Sequence, residues 1–133
     1  MTQTAKAWGD FDTPFDALGG ESTIRSIVER FYDIVDAEAP NVRALLPKDD
    51  SLTRDKLFEY LVEWTGGPAL YSSTRGHPRM RMRHMPFAIG ASEVESWLEC
   101  FNKSLDENSV KGPVRVFFDE KITALAHSMQ NQA

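Results

Sequence analysis

The sequence predicts an all-α fold, and three observations carry that prediction. Apolar residues recur at three- and four-residue spacing in four separate stretches, no stretch alternates apolar and polar residues over the length of a strand, and Gly/Pro pairs stand where the periodic stretches stop. There is no internal repeat and no low-complexity segment.

Residues 1–14 show no sustained period and are expected to form an arm that docks through Trp8, Phe11 and the following Phe15, leaving 15–130 as the core of a single domain over 1–133. After Gly19-Gly20, the residues Ile24, Ile27, Val28, Phe31 and Val35 share one helical face, with Glu29, Arg30 and Asp33 on the other. Pro40 and Pro47 bracket a short connection. Asp49-Asp50-Ser51 offers capping oxygens to a second helix whose inner face is Leu57, Leu61 and Trp64, and Gly66-Gly67-Pro68 stops it. From 69 to 78 the pattern is that of a loop, and Arg79 to His84 allows one or two helical turns. Pro86 ends them, because it lacks an amide hydrogen and disfavours helical geometry in the residue before it. Ser92-Glu93-Val94-Glu95 reads as a capping box opening a helix that buries Val94, Trp97, Leu98, Phe101 and Leu105. Gly112-Pro113 closes the next connection, and Phe118, Ile122, Leu125 and Met129 mark the inward stripe of a last helix. The expectation is four main helices and a short one carrying His84.

At 133 residues, 41% of them apolar and 26% charged, the chain has room for one real hydrophobic core and has the composition of a soluble globular protein. No apolar run has the length of a membrane span, and the N-terminus lacks the pattern of a secretory signal, so a cytoplasmic location is expected. A net charge of −5 argues against general nucleic-acid binding, which needs broad basic surfaces. The single Cys100 can form no internal disulfide, and no Cys-x-x-Cys-His motif exists to attach haem covalently. A small buried apolar role suits that cysteine.

Against this acidic background, Arg75 to His84 concentrates four arginines and two histidines. His84 stands where a short helix should end, offered to something large and apolar, and guanidinium groups at the rim of such a pocket suit carboxylates or phosphates. A haem meets both demands, with iron for the histidine and propionates for the arginines. The ordinary reading of a charge run is a solvated face, but here Met80 and Met82 interleave with the arginines and give the strip one soft apolar edge. His77 is the second choice for iron. A zinc site built from His77, His84 and Cys100 lacks a fourth ligand and matches no closed pattern, and His127 is assigned no function. Tyr32 and Trp97 each put a hydrogen-bond donor on a buried stripe. A tyrosine bonded to a core carbonyl would explain the first alone; both together make sense if an exogenous acceptor sits between them.

These residues resemble the truncated haemoglobins, and within them the second group. The resemblance runs from about Phe15 to His127 and rests on Gly19-Gly20, Phe31-Tyr32, Gly66-Gly67-Pro68, the stretch Gly76-His77-Pro78-Arg79-Met80-Arg81-Met82-Arg83-His84, Pro86-Phe87 and Trp97-Leu98-Glu99-Cys100. It implies a truncated-globin fold, a two-over-two helical sandwich with non-covalent haem b between the first two long helices and the last two. It implies that His84 is the proximal iron ligand, its other ring nitrogen donating to a backbone carbonyl, and that Tyr32 and Trp97 are distal donors, with Thr53 and Leu57 beside them on the distal helix. Phe31, Phe58, Leu61, Met80, Met85 and Phe87 would line the pocket, and Lys56, Tyr71 and Arg83 would reach the propionates. One departure stands out. The family often has tyrosine, histidine or phenylalanine just before Pro47, where this chain has Leu46, so ligand stabilisation is expected to rest on Trp97 and Tyr32 alone.

The resemblance implies reversible binding of O2 and other diatomics such as CO and NO. A peroxidase-like or nitric-oxide-consuming enzyme would use the same pocket with a reductase as partner, and the sequence leaves this alternative open. A different class of reading is an anion-binding or interaction module built on Arg75, Arg79, Arg81 and Arg83. A monomer or homodimer is expected, with no nucleic-acid or membrane partner.

Overall fold

The computed structural model describes Trp8 and residues 11–133; the other residues of the expected arm lie outside the described part. Among the described residues the elements are α1 (Pro14–Leu18), α2 (Glu21–Glu38), α3 (Pro40–Arg43), α4 (Ser51–Trp64), α5 (Ser72–Arg75), α6 (Met80–His84), α7 (Ala91–Glu107) and α8 (Gly112–Ser128). They contain no strand, only an isolated bridge between Trp8 and Phe11. None of these helices is long and apolar enough to cross a membrane.

The stripe read on the first long helix is what α2 buries: Ile24, Ile27, Val28, Phe31, Ile34 and Val35 are all sealed from solvent. Each such side chain contributes about 1.5–3 kcal/mol relative to exposure, and together they let α2 pack against both α4 and α7 while α7 packs against α8. The result is one helix pair laid across another. An aromatic line runs through the crossing, from Phe31 to Trp97 and Phe101 and on to Phe118. The buried Ser104 hydroxyl of α7 donates to the Ile27 carbonyl of α2 at 2.6 Å, which fixes how far the two helices can slide.

Local chemistry sets the ends. The α4 helix closes with the Gly66 N–H on the Glu63 carbonyl and the Gly67 N–H on the Val62 carbonyl, at 3.1 and 2.8 Å, with Gly66 at φ +102° as this cap requires. Gly67 is needed for a second reason: a Cβ there would stand 2.7 Å from the Phe15 ring and 2.9 Å from the Val62 oxygen. The arm docks through Trp8, whose ring meets Phe117 edge-on at 4.9 Å, and through Phe15, packed against the core. Phe11 does not take part and is 46% exposed.

Five local expectations change. The connection between Pro40 and Pro47 contains the helical turn α3, and the loop at 69–78 contains α5, whose first N–H, on Ser72, is accepted by Glu63 at 2.8 Å. The N-cap residue of α4, Asp50, makes no capping bond; Asp49 supplies the oxygen instead, accepting from both Ser51 N–H and Ser51 Oγ. The α7 helix begins at Ala91, so Ser92 lies inside its first turn, and the Glu93 carboxylate reaches back to the Gly90 N–H at 2.8 Å. Glycine has no side chain to return that bond, so only half of the expected capping box exists. Met85, before Pro86, keeps helical angles of −56° and −35°, because its N–H remains bonded to Arg81 O at 3.1 Å; Pro86 ends the helix by its missing donor alone.

Candidate functional site

Where the two helix pairs diverge, a cavity of about 480 Å³ opens, within the size of pockets that take cofactors. Its walls come from Tyr32 of α2, Thr53, Lys56, Leu57, Tyr60 and Leu61 of α4, Met80, Arg83 and His84 of α6, Val94 and Trp97 of α7, and Ile122, Leu125 and Ala126 of α8, with Leu46, Tyr71 and Phe87 from the connections. The wall is mostly apolar, so a flat apolar guest gains burial while its polar edge faces the few cations.

His84 is held in a defined state. Its Nδ1 lies 2.6 Å from the Met80 carbonyl oxygen. A carbonyl can only accept, so Nδ1 carries the proton and Nε2 keeps its lone pair for a ligand. The i to i−4 spacing that makes this bond possible is helical, which is why a helix as short as α6 suffices. His77 is elsewhere: exposed in the loop, it accepts the Arg79 N–H at 3.1 Å. Cys100 is buried in α7, and burial pushes its thiol pKa up. Among the described residues no three His, Cys, Asp or Glu side chains gather as a metal site, so the zinc arrangement of His77, His84 and Cys100 is not assembled. A lone imidazole can serve a metal only if the other ligands come with the metal.

Tyr32 is buried, and burial pushes its phenol pKa well up; the nearby Asp50 charge adds to this and the Arg54 guanidinium partly offsets it. The phenol therefore stays protonated and a donor. Trp97 stacks on Phe101 with rings 5.1 Å apart and 7° from parallel. Neither Tyr32 Oη nor Trp97 Nε1 bonds to a protein partner, yet the only sealed side-chain polar atom without a partner among the described residues is Asp50 Oδ2. Both donors are therefore open to the cavity they line rather than stranded in packed protein. Behind them, Arg54 gathers Glu29, Asp33, Asp36 and Asp50 at 3.1–3.6 Å, its guanidinium 5.5 Å from the Tyr32 ring centroid.

Twelve of the expected site residues thus share one cavity: His84, Tyr32, Trp97, Thr53, Leu57, Leu46, Lys56, Leu61, Tyr71, Met80, Arg83 and Phe87. Three do not. Phe31 points into the helix crossing, ringed by Tyr32, Trp97 and Phe101. Phe58 turns to the other side of α4, under the Arg25 guanidinium at 4.0 Å. Met85 is 62% exposed on the far side of the α6 end. Sequence reasoning missed Tyr60, whose ring meets Tyr71 edge-on at 6.1 Å, although its place three residues after Leu57 was a usable signal. It also read Val94, Ile122 and Leu125 as core alone, because one helical stripe serves core and cavity alike. Arg75 is paired with Glu59 at 2.9 Å, whereas Lys56, Arg79, Arg81 and Arg83 have no carboxylate partner among the described residues.

Comparison with known proteins agrees with this geometry. The family model described as "Bacterial-like globin" matches residues 13–131. The group 2 truncated hemoglobin YjbI of Bacillus subtilis (strain 168) is 34% identical over 122 residues, 92% of this chain and 91% of the relative. Two solved structures superpose closely. The group II truncated hemoglobin from Bacillus anthracis is 37% identical with a TM-score of 0.89, over 92% of this chain and 98% of that one. The group II 2-on-2 hemoglobin of Agrobacterium tumefaciens is 35% identical with a TM-score of 0.88, over 94% and 98%. With helices, cavity and sequence in agreement, this chain belongs to the bacterial-like globins and, within them, to the group II truncated, two-on-two hemoglobins.

Proposed function

We propose that this globin holds haem b without covalent attachment, with His84 as the iron ligand, and reversibly binds O2, CO and NO under the control of Tyr32 and Trp97. One observation carries the reading: a single apolar cavity brings together an imidazole whose Nδ1 is committed to the Met80 carbonyl and two donors with no protein partner. The residues fit the group. One histidine with no accompanying ligand cluster among the described residues suits a metal that arrives with four ligands in a macrocycle. Lys56 and Arg83, on the cavity wall with no carboxylate partner among the described residues, suit its carboxylates, and Tyr71 can add a hydroxyl there.

When bound, haem supplies an iron with one position open to a diatomic molecule. The chain's own residues do the rest. His84 Nε2 donates its lone pair, and the bond from Nδ1 to Met80 fixes the ring plane and raises its basicity. Tyr32 Oη and Trp97 Nε1 donate hydrogen bonds to a guest that carries partial negative charge, and such charge-assisted bonds are stronger than neutral ones. Leu46, Leu57, Leu61, Met80 and Phe87 exclude water, and the small Thr53 leaves room for entry. Leu46 can bond neither guest nor Tyr32. Burial holds the Tyr32 phenol protonated, the state a hydrogen-bond donor needs. The single buried thiol of Cys100 suits a reducing cytoplasm.

The test is the visible spectrum of the hemin-loaded protein, ferric, reduced and then exposed to carbon monoxide, beside the same series for His84→Ala. A haem band that shifts with carbon monoxide in the wild type and is disturbed in the variant is expected. No haem band after hemin addition would overturn the reading.

A further inference from the structure

Resting on the reading of His84 as the iron ligand, we propose that Asn131, beyond the last helix, is a positioning residue that sets the place and orientation of His84. The α6 helix has five residues and no side-chain cap, and it starts from Arg79 in the left-handed region at φ +45°. A helix this short is marginal without outside support. None of the long helices packs extensively on it, and apart from the bonds to Asn131 the polar contacts of residues 79–88 are local, among them Arg79 with the adjacent His77 and His84 with Met80.

The support comes from the C-terminal end. Asn131 Nδ2 donates to the Phe87 carbonyl at 2.8 Å and to the His84 carbonyl at 3.3 Å. Its Oδ1 accepts the Ile89 N–H at 2.9 Å, and the backbone N–H groups of Asn131 and Gln132 both reach the Ile89 carbonyl, at 2.8 and 3.0 Å. Among the described residues, the amide of Asn131 is the only polar group distant in sequence that bonds the stretch from Arg79 to Ala88; the other outside partner is the adjacent His77. One amide side chain thus satisfies three backbone groups that follow directly on the ligand, and it does so with both its donor and its acceptor arms. Since a histidine ring is carried by its own backbone, a shift of the His84 carbonyl moves Nε2 with it. The clamp acts on the far side of His84 from the Met80 bond, so ring plane and backbone position are held by separate contacts. Partners of this kind around a metal ligand change affinity by ~10–100-fold when removed.

Two variants separate the arms. Asn131→Ala removes both, and Asn131→Asp keeps the acceptor for Ile89 while losing the donors to His84 and Phe87. Each is loaded with hemin beside the wild type, and three quantities are read: thermal unfolding, the rate of hemin loss to an excess of a scavenging apoglobin, and the iron–histidine stretching band of the ferrous protein by resonance Raman. Hemin loss about tenfold faster is expected for both variants, with a shifted or broadened iron–histidine band. An unchanged band and hemin-loss rate, even in a less stable protein, would overturn the proposal and leave Asn131 a purely structural tie. Wild-type behaviour of Asn131→Asp would overturn the role of the donor arm. The wild-type control keeps the two readings apart: with no iron–histidine band there, the ligand assignment itself fails and this inference fails with it.

Discussion

Tyr32 and Trp97 are the two donors through which the cavity can hold a polar guest, and they differ in how cleanly they can be tested. Trp97 is stacked face to face on Phe101, so Trp97→Phe preserves an aromatic ring in the stack while removing the N–H together with part of the indole bulk. If that donor holds the bound molecule with about 1.4 kcal/mol or more, the oxygen dissociation rate rises by roughly tenfold or more. Stopped-flow displacement of O2 by CO measures it, and an unchanged rate removes Trp97 from the role. With Leu46 unable to compensate, the effect is not masked by a third donor. At this scale the sequence was informative wherever the chemistry lay in a residue type: His84, Tyr32 and Trp97 are legible as groups that need partners. It was uninformative about direction. Phe31 and Tyr32 are neighbours on one buried stripe, yet only Tyr32 reaches the cavity, because successive helical side chains point about 100° apart and the α7 crossing claims the first of them. Phe58 and Met85 are turned away for the same reason.

The helices themselves were readable from periodicity and their ends only in part. The α7 helix shows both sides of this. Its C-terminus closes through Ser109 at φ +57°, with the Ser109 N–H on Asp106 O and the Val110 N–H on Leu105 O, both at 3.0 Å. This is the two-bond cap that normally uses glycine. A left-handed serine is strained by about 1–2 kcal/mol relative to glycine, and part of the relief is offset by the greater freedom of glycine in the unfolded chain. Ser109→Gly is therefore expected to stabilise the protein by about 1 kcal/mol, read as a rise in the urea midpoint with an unchanged slope. A fall in the midpoint would show that the strain is not there. No glycine marked this end, and at the other end an eligible serine drew the cap two residues too far along, because Gly90, whose amide the Glu93 carboxylate takes, carries no side chain to signal itself. The α5 turn was invisible for a related reason: the oxygen that organises it belongs to Glu63, on a different helix.

At the scale of the whole molecule, three carboxylates among the described residues sit below their ordinary pKa in the folded state. Asp49 is lowered by the Ser51 hydroxyl and amide, Glu63 chiefly by the Ser72 amide, and Glu93 by the Ser92 hydroxyl and the Gly90 amide. Because the folded chain releases these protons more readily than the unfolded one, their contribution is full above the ordinary values of 3.8 for aspartate and 4.5 for glutamate. It is lost as the pH falls below them. Urea midpoints measured from pH 7 down to pH 3 should therefore drop on the acid side, and Glu63→Gln with Glu93→Gln should flatten that drop. An identical acid profile in the double variant would show that these groups do not couple to folding.

The sequence alone determined that the chain is all-α, where its four long helices lie, and which residue types could hold a haem and a gas, since periodicity and hydrogen-bonding capacity are properties of local order and of single side chains. Only the tertiary structure decided which faces of those helices became cavity rather than core, that His84 keeps Nε2 free by spending Nδ1 on Met80, and that Asn131 reaches back to its carbonyl. The first and last of these depend on groups brought together from distant parts of the chain, and a distance across 47 residues of sequence is set by how the helices pack; the Met80 bond is local but needs α6 to be helical, which the sequence alone left short and uncapped.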